Sequence, residues 1–121
     1  MPGTPLSVRL LRRELSVIAT DCGMDAEGVA DVQLAVTEAA TNAVMHGYSD
    51  APGELTVSAD VRDGELAVVI GDTGRGFDDG RESPGLGVGL SIIATVADRL
   101  RIISTPDGTR IHMTFPCPNG H

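Results

Sequence analysis

The spacing of hydrophobic residues predicts two long helices in the N-terminal part of the chain. The first begins at Thr4-Pro5 and stops near Gly23. The second begins after Asp25 and runs to about His46. Hydrophobic residues recur every three or four positions in both segments, namely at Val8, Leu11, Leu15, Ile18, Val29, Val32, Val36, Ala39, Ala40 and Ala43. Both starts carry a capping residue, and a glycine follows both segments, as is usual for helices.

The pattern then changes to alternation, which predicts strands. Residues 55–61 alternate between hydrophobic and polar, and residues 66–70 continue the pattern after a tight turn at Asp63-Gly64. A stretch rich in Gly and Asp covers residues 71–89, and a third helix is predicted from Leu90 to Ala97. Strands at residues 100–104 and 109–115 follow, joined by a turn at 106–108.

This order of elements predicts an α+β fold. Hairpin-length connections favour antiparallel pairing, so the compact arrangement is a two-layer sandwich. We expect three helices on one face of a mixed, mostly antiparallel sheet. The 121 residues fit a single domain, 1–121, with an ordered core at about 6–115 and a frayed tail at 116–121.

Composition and charge remove several classes of function. The net charge of −8 opposes direct binding to nucleic acid. All nine basic residues are arginines, so a Walker A lysine and a Schiff-base lysine are excluded. No apolar run is long enough to span a membrane, and no signal pattern is present, so we expect a cytoplasmic protein. Cys22 and Cys117 show no metal-ligand spacing and are interpreted as two buried or idle thiols in a reducing compartment.

A polar stripe on the second predicted helix is the first candidate site. Glu38, Asn42 and His46 follow each other at intervals of four residues and therefore lie along one side of the helix. Asn42 is an unfavourable residue inside a helix, but its amide oxygen is a suitable ligand for Mg²⁺. Glu38 is placed to act as a general base. The alternative interpretation is a solvated polar face, with His46 stabilising the helix C-terminus.

Two glycine-rich turns complete the set of candidates. Residues 72–77 (DTGRGF) follow a strand, and a carboxylate there can accept a hydrogen bond from the amino group of adenine. Residues 85–91 (GLGVGLS) lead into the third helix, where free backbone N–H groups can bind phosphate. Each segment alone is better explained as an ordinary turn. Their order and spacing, together with the polar stripe, favour one nucleotide pocket.

These residues resemble the GHKL ATPase superfamily, which includes gyrase and the histidine kinases and has the Bergerat fold. Residues 38–48 (EAATNAVMHGY) look like its N-box, and the His-Gly-Tyr ending resembles anti-sigma-factor serine/threonine kinases of the RsbW type. Residues 72–77 and 85–89 look like the two glycine boxes, and Gly108-Thr109 resembles the closing Gly-Thr. The resemblance covers about residues 6–115.

The resemblance implies ATP and Mg²⁺ as cofactors and assigns roles to single residues. Glu38 would activate a serine or threonine hydroxyl, and Asn42 would bind Mg²⁺. Asp72 would bind the adenine amino group, with support from Thr109 through water. The remaining nucleotide contacts would come from His46, Gly74, Gly76, Gly85, Gly87 and Gly89. The implied partners are a STAS-type anti-sigma antagonist, which the kinase phosphorylates, and a sigma factor, which it regulates.

Departures from the family pattern leave other functions open. The segment that would cover ATP, residues 77–85, is short. The arginine that often precedes the second glycine box is absent, although Arg75 or Arg81 could replace it. Only five residues precede the first helix body, where the family has an edge strand that helps build its dimer, so a homodimer is left open. The alternatives are an ATP- or ADP-responsive binding module, an RsbT-type switch kinase, the catalytic half of a histidine kinase, and an adaptor with a vestigial pocket.

Overall fold

The computed structural model describes residues 4–46, 54–72, 86–105 and 108–118, with backbone alone at 5, 43–46, 72, 86–90 and 104–105. Three helices and four strands follow each other along these ranges. They are α1 (Pro5–Asp21), α2 (Ala26–His46), β1 (Leu55–Arg62), β2 (Glu65–Asp72), α3 (Leu86–Val96), β3 (Arg99–Thr105) and β4 (Gly108–Pro116). No helix in these ranges is long and apolar enough to cross a membrane.

The helix starts are fixed by the caps that the sequence predicts. The Ser7 N–H donates to Thr4 Oγ1 over 3.3 Å, and the Gly28 N–H donates to Asp25 Oδ1 over 2.8 Å. Each bond satisfies one of the N–H groups that a helix leaves free in its first turn. Gly23, just beyond α1, has φ of 92°, a conformation that favours glycine. The predicted limits of α1 and α2 are therefore confirmed.

The strands form one open sheet in the order β1-β2-β4-β3. Every pair among them is antiparallel. Asp63 and Gly64, with φ of 54° and 78°, make the tight turn between β1 and β2, as predicted. β4 inserts between β2 and β3, so the last strand of the chain becomes a central one. This pairing places the start of β4 beside the end of β2.

The core lies between the sheet and the helices. Alternate residues of β2 and β4 are buried on one face, namely Leu66, Val68, Ile70, Ile111, Met113 and Phe115. They belong to the same cluster as Leu11 and Leu15 of α1 and Val32 and Val36 of α2. The described part of the chain is thus a two-layer α+β sandwich, and the predicted fold class is confirmed.

The C-terminal segment and the cysteines differ from expectation. Pro116 is still part of β4, and Cys117 is only 1% exposed. The Cys117 N–H donates to the Gly64 carbonyl over 2.8 Å. Cys22 and Cys117, whose Cα atoms are 5.6 Å apart, are joined by a disulfide. The predictions of idle thiols and of a tail frayed from residue 116 are therefore wrong, because long-range packing anchors this segment.

Candidate functional site

The ends of four elements meet at one end of the molecule, here called the Asn42 pole. At the opposite end, one groove is lined by the start of α2, the end of α3 and the end of β4. Since α3 has 11 residues and each adds 1.5 Å, its start lies about 15 Å from that groove, level with residues 36–42 of α2. Helix α2 packs against α3, β2 and β4. The Asn42 pole therefore contains every described element that carries a predicted site residue.

Two buried side chains at the Asn42 pole each carry one polar atom that has no hydrogen-bond partner within the described residues. Asn42 is 6% exposed and its Nδ2 atom is unpaired, and Thr109 is 4% exposed with its Oγ1 atom unpaired. Burying such a group without a partner costs about 1–3 kcal/mol. His112 and Thr114 also carry a buried unpaired atom, but these residues are partly exposed and lie on the other face of the sheet. Among these four described residues, Asn42 and Thr109 alone are buried as a whole, which is typical of a site that a ligand completes.

The backbone register brings Asp72 next to Thr109. Gly71 pairs with Arg110, so the next position along the ladder sets residue 72 opposite residue 109. Successive positions of a strand alternate between the two faces of the sheet, so positions 72 and 109 are on the same face as the core residues Ile70 and Ile111. That face is the one covered by the helices. This adjacency is what the expected water-mediated link between Asp72 and Thr109 requires.

Glu38 lies one helical turn before Asn42 on α2. It is half-buried, whereas Ala39 and Ala40 beside it are fully buried. The predicted stripe therefore follows the edge of the core, next to the sheet elements of the Asn42 pole. His46 is the last residue of α2, and only its backbone is described.

The second glycine box differs from its predicted local structure. The sequence predicts a turn up to Gly89, but α3 begins at Leu86, so Gly87 and Gly89 lie in the first turn of the helix. The first four N–H groups of a helix have no partner within it, and the helix dipole favours an anion there. The phosphate-binding prediction therefore keeps a physical basis. Gly74, Gly76 and Gly85 lie outside the described residues.

Gly71 is a contributor to the site that the sequence predictions missed. A Cβ atom at this position would lie 2.9 Å from Thr56 Oγ1 and 3.2 Å from the Thr109 carbonyl oxygen. The first distance requires Thr56 of β1 to shift, and the second is tighter than an ordinary contact with the β4 backbone, so glycine is favoured just before Asp72. A glycine inside a strand pattern is a sequence signal for such an approach.

The donor set at the Asn42 pole suits a metal that is held largely by its substrate. Among the described residues there is no group of three or more His, Cys, Asp or Glu side chains that could hold a metal ion. Mg²⁺ in nucleotide sites takes one or two protein oxygens and completes its shell with phosphates and water. A single asparagine amide with Glu38 one turn away fits this type of site.

Comparison with known proteins agrees with this geometry. The profile of the family described as "Histidine kinase-like ATPase domain" matches residues 1–115. The chain belongs to this family. Its relatives include the "Serine-protein kinase RsbW" of Bacillus licheniformis, which is 32% identical over 93% of this chain and 80% of the relative. The "Anti-sigma F factor" of a Thermoanaerobacter species is 30% identical over 85% of this chain and 80% of the relative.

A solved structure of the family supports the same assignment. The RsbU and RsbW domains of a Mycobacterium tuberculosis protein superimpose with a TM-score of 0.76 and 26% identity. The match covers 96% of this chain and 30% of that longer chain, so this chain corresponds to about a third of it. Membership of the family that the N-box and glycine boxes predict is thus confirmed.

Proposed function

We propose that this chain is an ATP-binding serine/threonine protein kinase that phosphorylates an anti-sigma antagonist and regulates a sigma factor. The observation that carries the proposal is the pair of unpaired, buried polar groups on Asn42 and Thr109 at the pole where β2, β4, α2 and α3 converge. The printed names of the relatives, a serine-protein kinase and an anti-sigma factor, supply the reaction and the partner class.

In this proposal, each residue has a definite task. Asp72 accepts a hydrogen bond from the adenine amino group, and Thr109 supports it through a bound water. Asn42 would hold a Mg²⁺ ion through its amide oxygen, and the ion would help to neutralise the phosphate charge. The glycine segments around Gly74, Gly76 and Gly85, and the start of α3 with Gly87 and Gly89, surround the nucleotide, and His46 borders it.

Glu38 acts on the protein substrate. Its carboxylate accepts the proton of a serine or threonine hydroxyl as that oxygen attacks the γ-phosphorus and ADP departs. Phosphoryl transfer depends mainly on positioning and on stabilisation of charge, which a bound Mg²⁺ ion and the N–H groups at the start of α3 would supply here. The substrate is a STAS-type antagonist, and the second partner is a sigma factor. We propose a cytoplasmic location for all three. Because disulfides are rare in that compartment, the bond between Cys22 and Cys117 is expected to form there only on oxidation.

Nucleotide binding is tested by calorimetry with ATP and ADP, with and without Mg²⁺. Asp72→Asn should weaken the binding of both nucleotides, while Asn42→Ala should mainly remove the effect of Mg²⁺. Asp60→Asn is the matched control, because Asp60 is an exposed β1 residue whose partner is Arg62, at 2.9 Å. Equal effects of Asp60→Asn and Asp72→Asn would refute the adenine assignment.

Phosphoryl transfer is tested with radiolabelled ATP and a STAS-type antagonist. Glu38→Gln should lower the transfer rate about 10²- to 10⁴-fold, as expected for loss of a general base, and should leave ATP affinity nearly unchanged. Glu14→Gln, on the exposed side of α1, is the control. If ATP binds but no antagonist is labelled, the chain is a nucleotide-responsive binding module and not a kinase.

A further inference from the structure

The outer face of the sheet, which points away from the helices, carries polar residues where β3 meets β4. Arg99 of β3 is opposite Thr114 of β4, and Arg101 is opposite His112. The β4 residue between His112 and Thr114 is buried in the core, so these two side chains lie on the outer face. The four side chains and Leu100 line an open cavity of about 420 Å³. The sheet separates this cavity from the proposed nucleotide site.

Two polar atoms at this cavity are buried and have no hydrogen-bond partner in the part of the chain that the structure describes. They are His112 Nε2 and Thr114 Oγ1. Burying a polar atom without a partner is unfavourable, and both a hydroxyl and an imidazole nitrogen can donate to an oxygen atom of a ligand. The two residues as a whole are partly exposed, so this face is open to a ligand from solvent.

The arginines of the same face are not all balanced by acidic residues. Nη2 of Arg99 donates to both carboxylate oxygens of Glu65, over 2.5 and 2.6 Å. Among the residues that the structure describes, Glu65 is the only acidic one at an outward position of β2, β3 or β4. Arg101 and Arg110 are exposed and form no ion pair with a described carboxylate. The outer face of β3 and β4 is therefore cationic, although the chain has a net charge of −8.

The spacing of these cations suits two carboxylates on one extended segment. Residues that are directly opposite in an antiparallel pair have Cβ atoms about 5 Å apart, so Arg101 and His112 can bind the same oxyanion. Arg110 is opposite Ile103 and therefore diagonal to Arg101, at a distance of about 7–8 Å. Alternate residues of an extended peptide are about 7 Å apart. Two such carboxylates can therefore reach both arginines, and a guanidinium binds a carboxylate through two parallel hydrogen bonds.

We propose that the outer face of β3 and β4 binds an acidic polypeptide segment of a partner protein. Arg101 and Arg110 would each bind one of its carboxylates, and the unpaired atoms of His112 and Thr114 would bind its oxygen atoms in the cavity. A single small anion would use Arg101 and His112 but would leave Arg110 without a partner. A segment with two carboxylates uses all three groups and is complementary in charge to this face.

Fluorescence anisotropy with a labelled peptide of alternating glutamate and serine tests this site without any need for ATP. The unmodified chain should bind the peptide, and it should not bind a peptide in which glutamine replaces every glutamate. The protein and the acidic peptide both carry a negative net charge, so binding cannot come from attraction between the overall charges. Added salt should weaken the binding, because it screens exposed ion pairs.

A pair of double variants locates the binding. Arg101→Gln with Arg110→Gln should weaken peptide binding roughly 5- to 30-fold, as expected for the loss of two exposed ion pairs. Arg12→Gln with Arg13→Gln is the matched control, because it makes the same change of charge at two exposed residues of α1. The control should bind the peptide like the unmodified chain. All four residues are exposed, so circular dichroism should show an intact fold for both double variants.

The cavity itself is tested with Thr114→Val and with inorganic phosphate. Thr114→Val keeps the charge of the face and removes one unpaired hydroxyl, so it should weaken peptide binding roughly 2- to 10-fold. Phosphate should displace the peptide only far above the dissociation constant of the peptide, because it occupies one of the two positions. Absence of peptide binding, an equal loss in the α1 control, an unchanged affinity of Thr114→Val, or displacement by phosphate at the dissociation constant of the peptide would each overturn the proposal.

Discussion

Replacing Thr109 with valine should make the protein more stable and its nucleotide binding weaker. Thr109 is 4% exposed at the start of β4, and its hydroxyl oxygen has no partner within the described residues. Valine has nearly the same shape and is equally favourable in a strand. The substitution therefore removes a buried hydroxyl and leaves the packing of the site almost unchanged.

The expected magnitude follows from the burial of the hydroxyl. A buried polar group without a partner costs about 1–3 kcal/mol, so Thr109→Val should raise the free energy of unfolding by about 1 kcal/mol or more. For a domain of this size, 1 kcal/mol corresponds to roughly 3–5 °C in Tm. In the proposed complex with ATP, the hydroxyl would hold the water that supports Asp72. Loss of that hydrogen bond should weaken ATP binding roughly 2- to 10-fold.

Thr114→Val is the matched control. Thr114 is also on β4, and its Oγ1 atom is likewise buried and unpaired within the described residues. It lies on the sheet face that points away from the helices, because residues 113 and 115 between which it stands are core residues. Thr114→Val should therefore stabilise the protein without changing ATP affinity.

Urea unfolding and ATP calorimetry on both variants give the comparison. Opposite changes in stability and affinity for Thr109→Val, with only the stability change for Thr114→Val, are expected. If Thr109→Val lowers stability, its hydroxyl is already satisfied in the free protein, and the argument from unpaired groups fails. If both variants bind ATP equally well, Thr109 does not face the nucleotide.

Two further predictions concern the close approach of β2 to its neighbours and the disulfide. Gly71→Ala should lower the free energy of unfolding by about 1–3 kcal/mol, because the new Cβ atom would lie 2.9 Å from Thr56 Oγ1. Adding Thr56→Ala should restore part of this loss in urea unfolding. If the effects of the two substitutions on stability simply add, the contact between these positions is contradicted. The disulfide, which spans 95 residues, should contribute up to about 4.7 kcal/mol by loop entropy. Cys22→Ser with Cys117→Ser should lose most of this in non-reducing urea, and two titratable thiols in the unfolded, unreduced chain would contradict the bond.

The local elements could be predicted from sequence because their signals are local. Thr4 and Asp25 mark helix starts through hydrogen bonds to N–H groups three residues away. Asp63-Gly64 specifies its turn through backbone conformation alone. Such signals act within a few residues, so reading the sequence in order recovers them.

The features that sequence analysis missed depend on contacts between distant segments. Nothing near Cys22 indicates that residue 117 will lie beside it, because that contact requires β4 to pair with β2 and to continue past Gly64. The requirement for glycine at position 71 likewise comes from Thr56 and Thr109 on the two neighbouring strands. The start of α3, at Leu86 instead of the predicted Leu90, was missed for another reason. Glycine disfavours helix, and the helix forms here in spite of Gly87 and Gly89.

For the candidate site, sequence analysis supplied the residues and the structure supplied their relative positions. The spacing of Glu38 and Asn42 predicts one side of a helix, but it does not state which elements face that side. The antiparallel pairing of β2 with β4 brings residues 72 and 109 together, and α2, which carries Asn42, packs against both strands. The unpaired atoms of Asn42 and Thr109 could not be predicted, because they depend on what the folded core leaves unsatisfied.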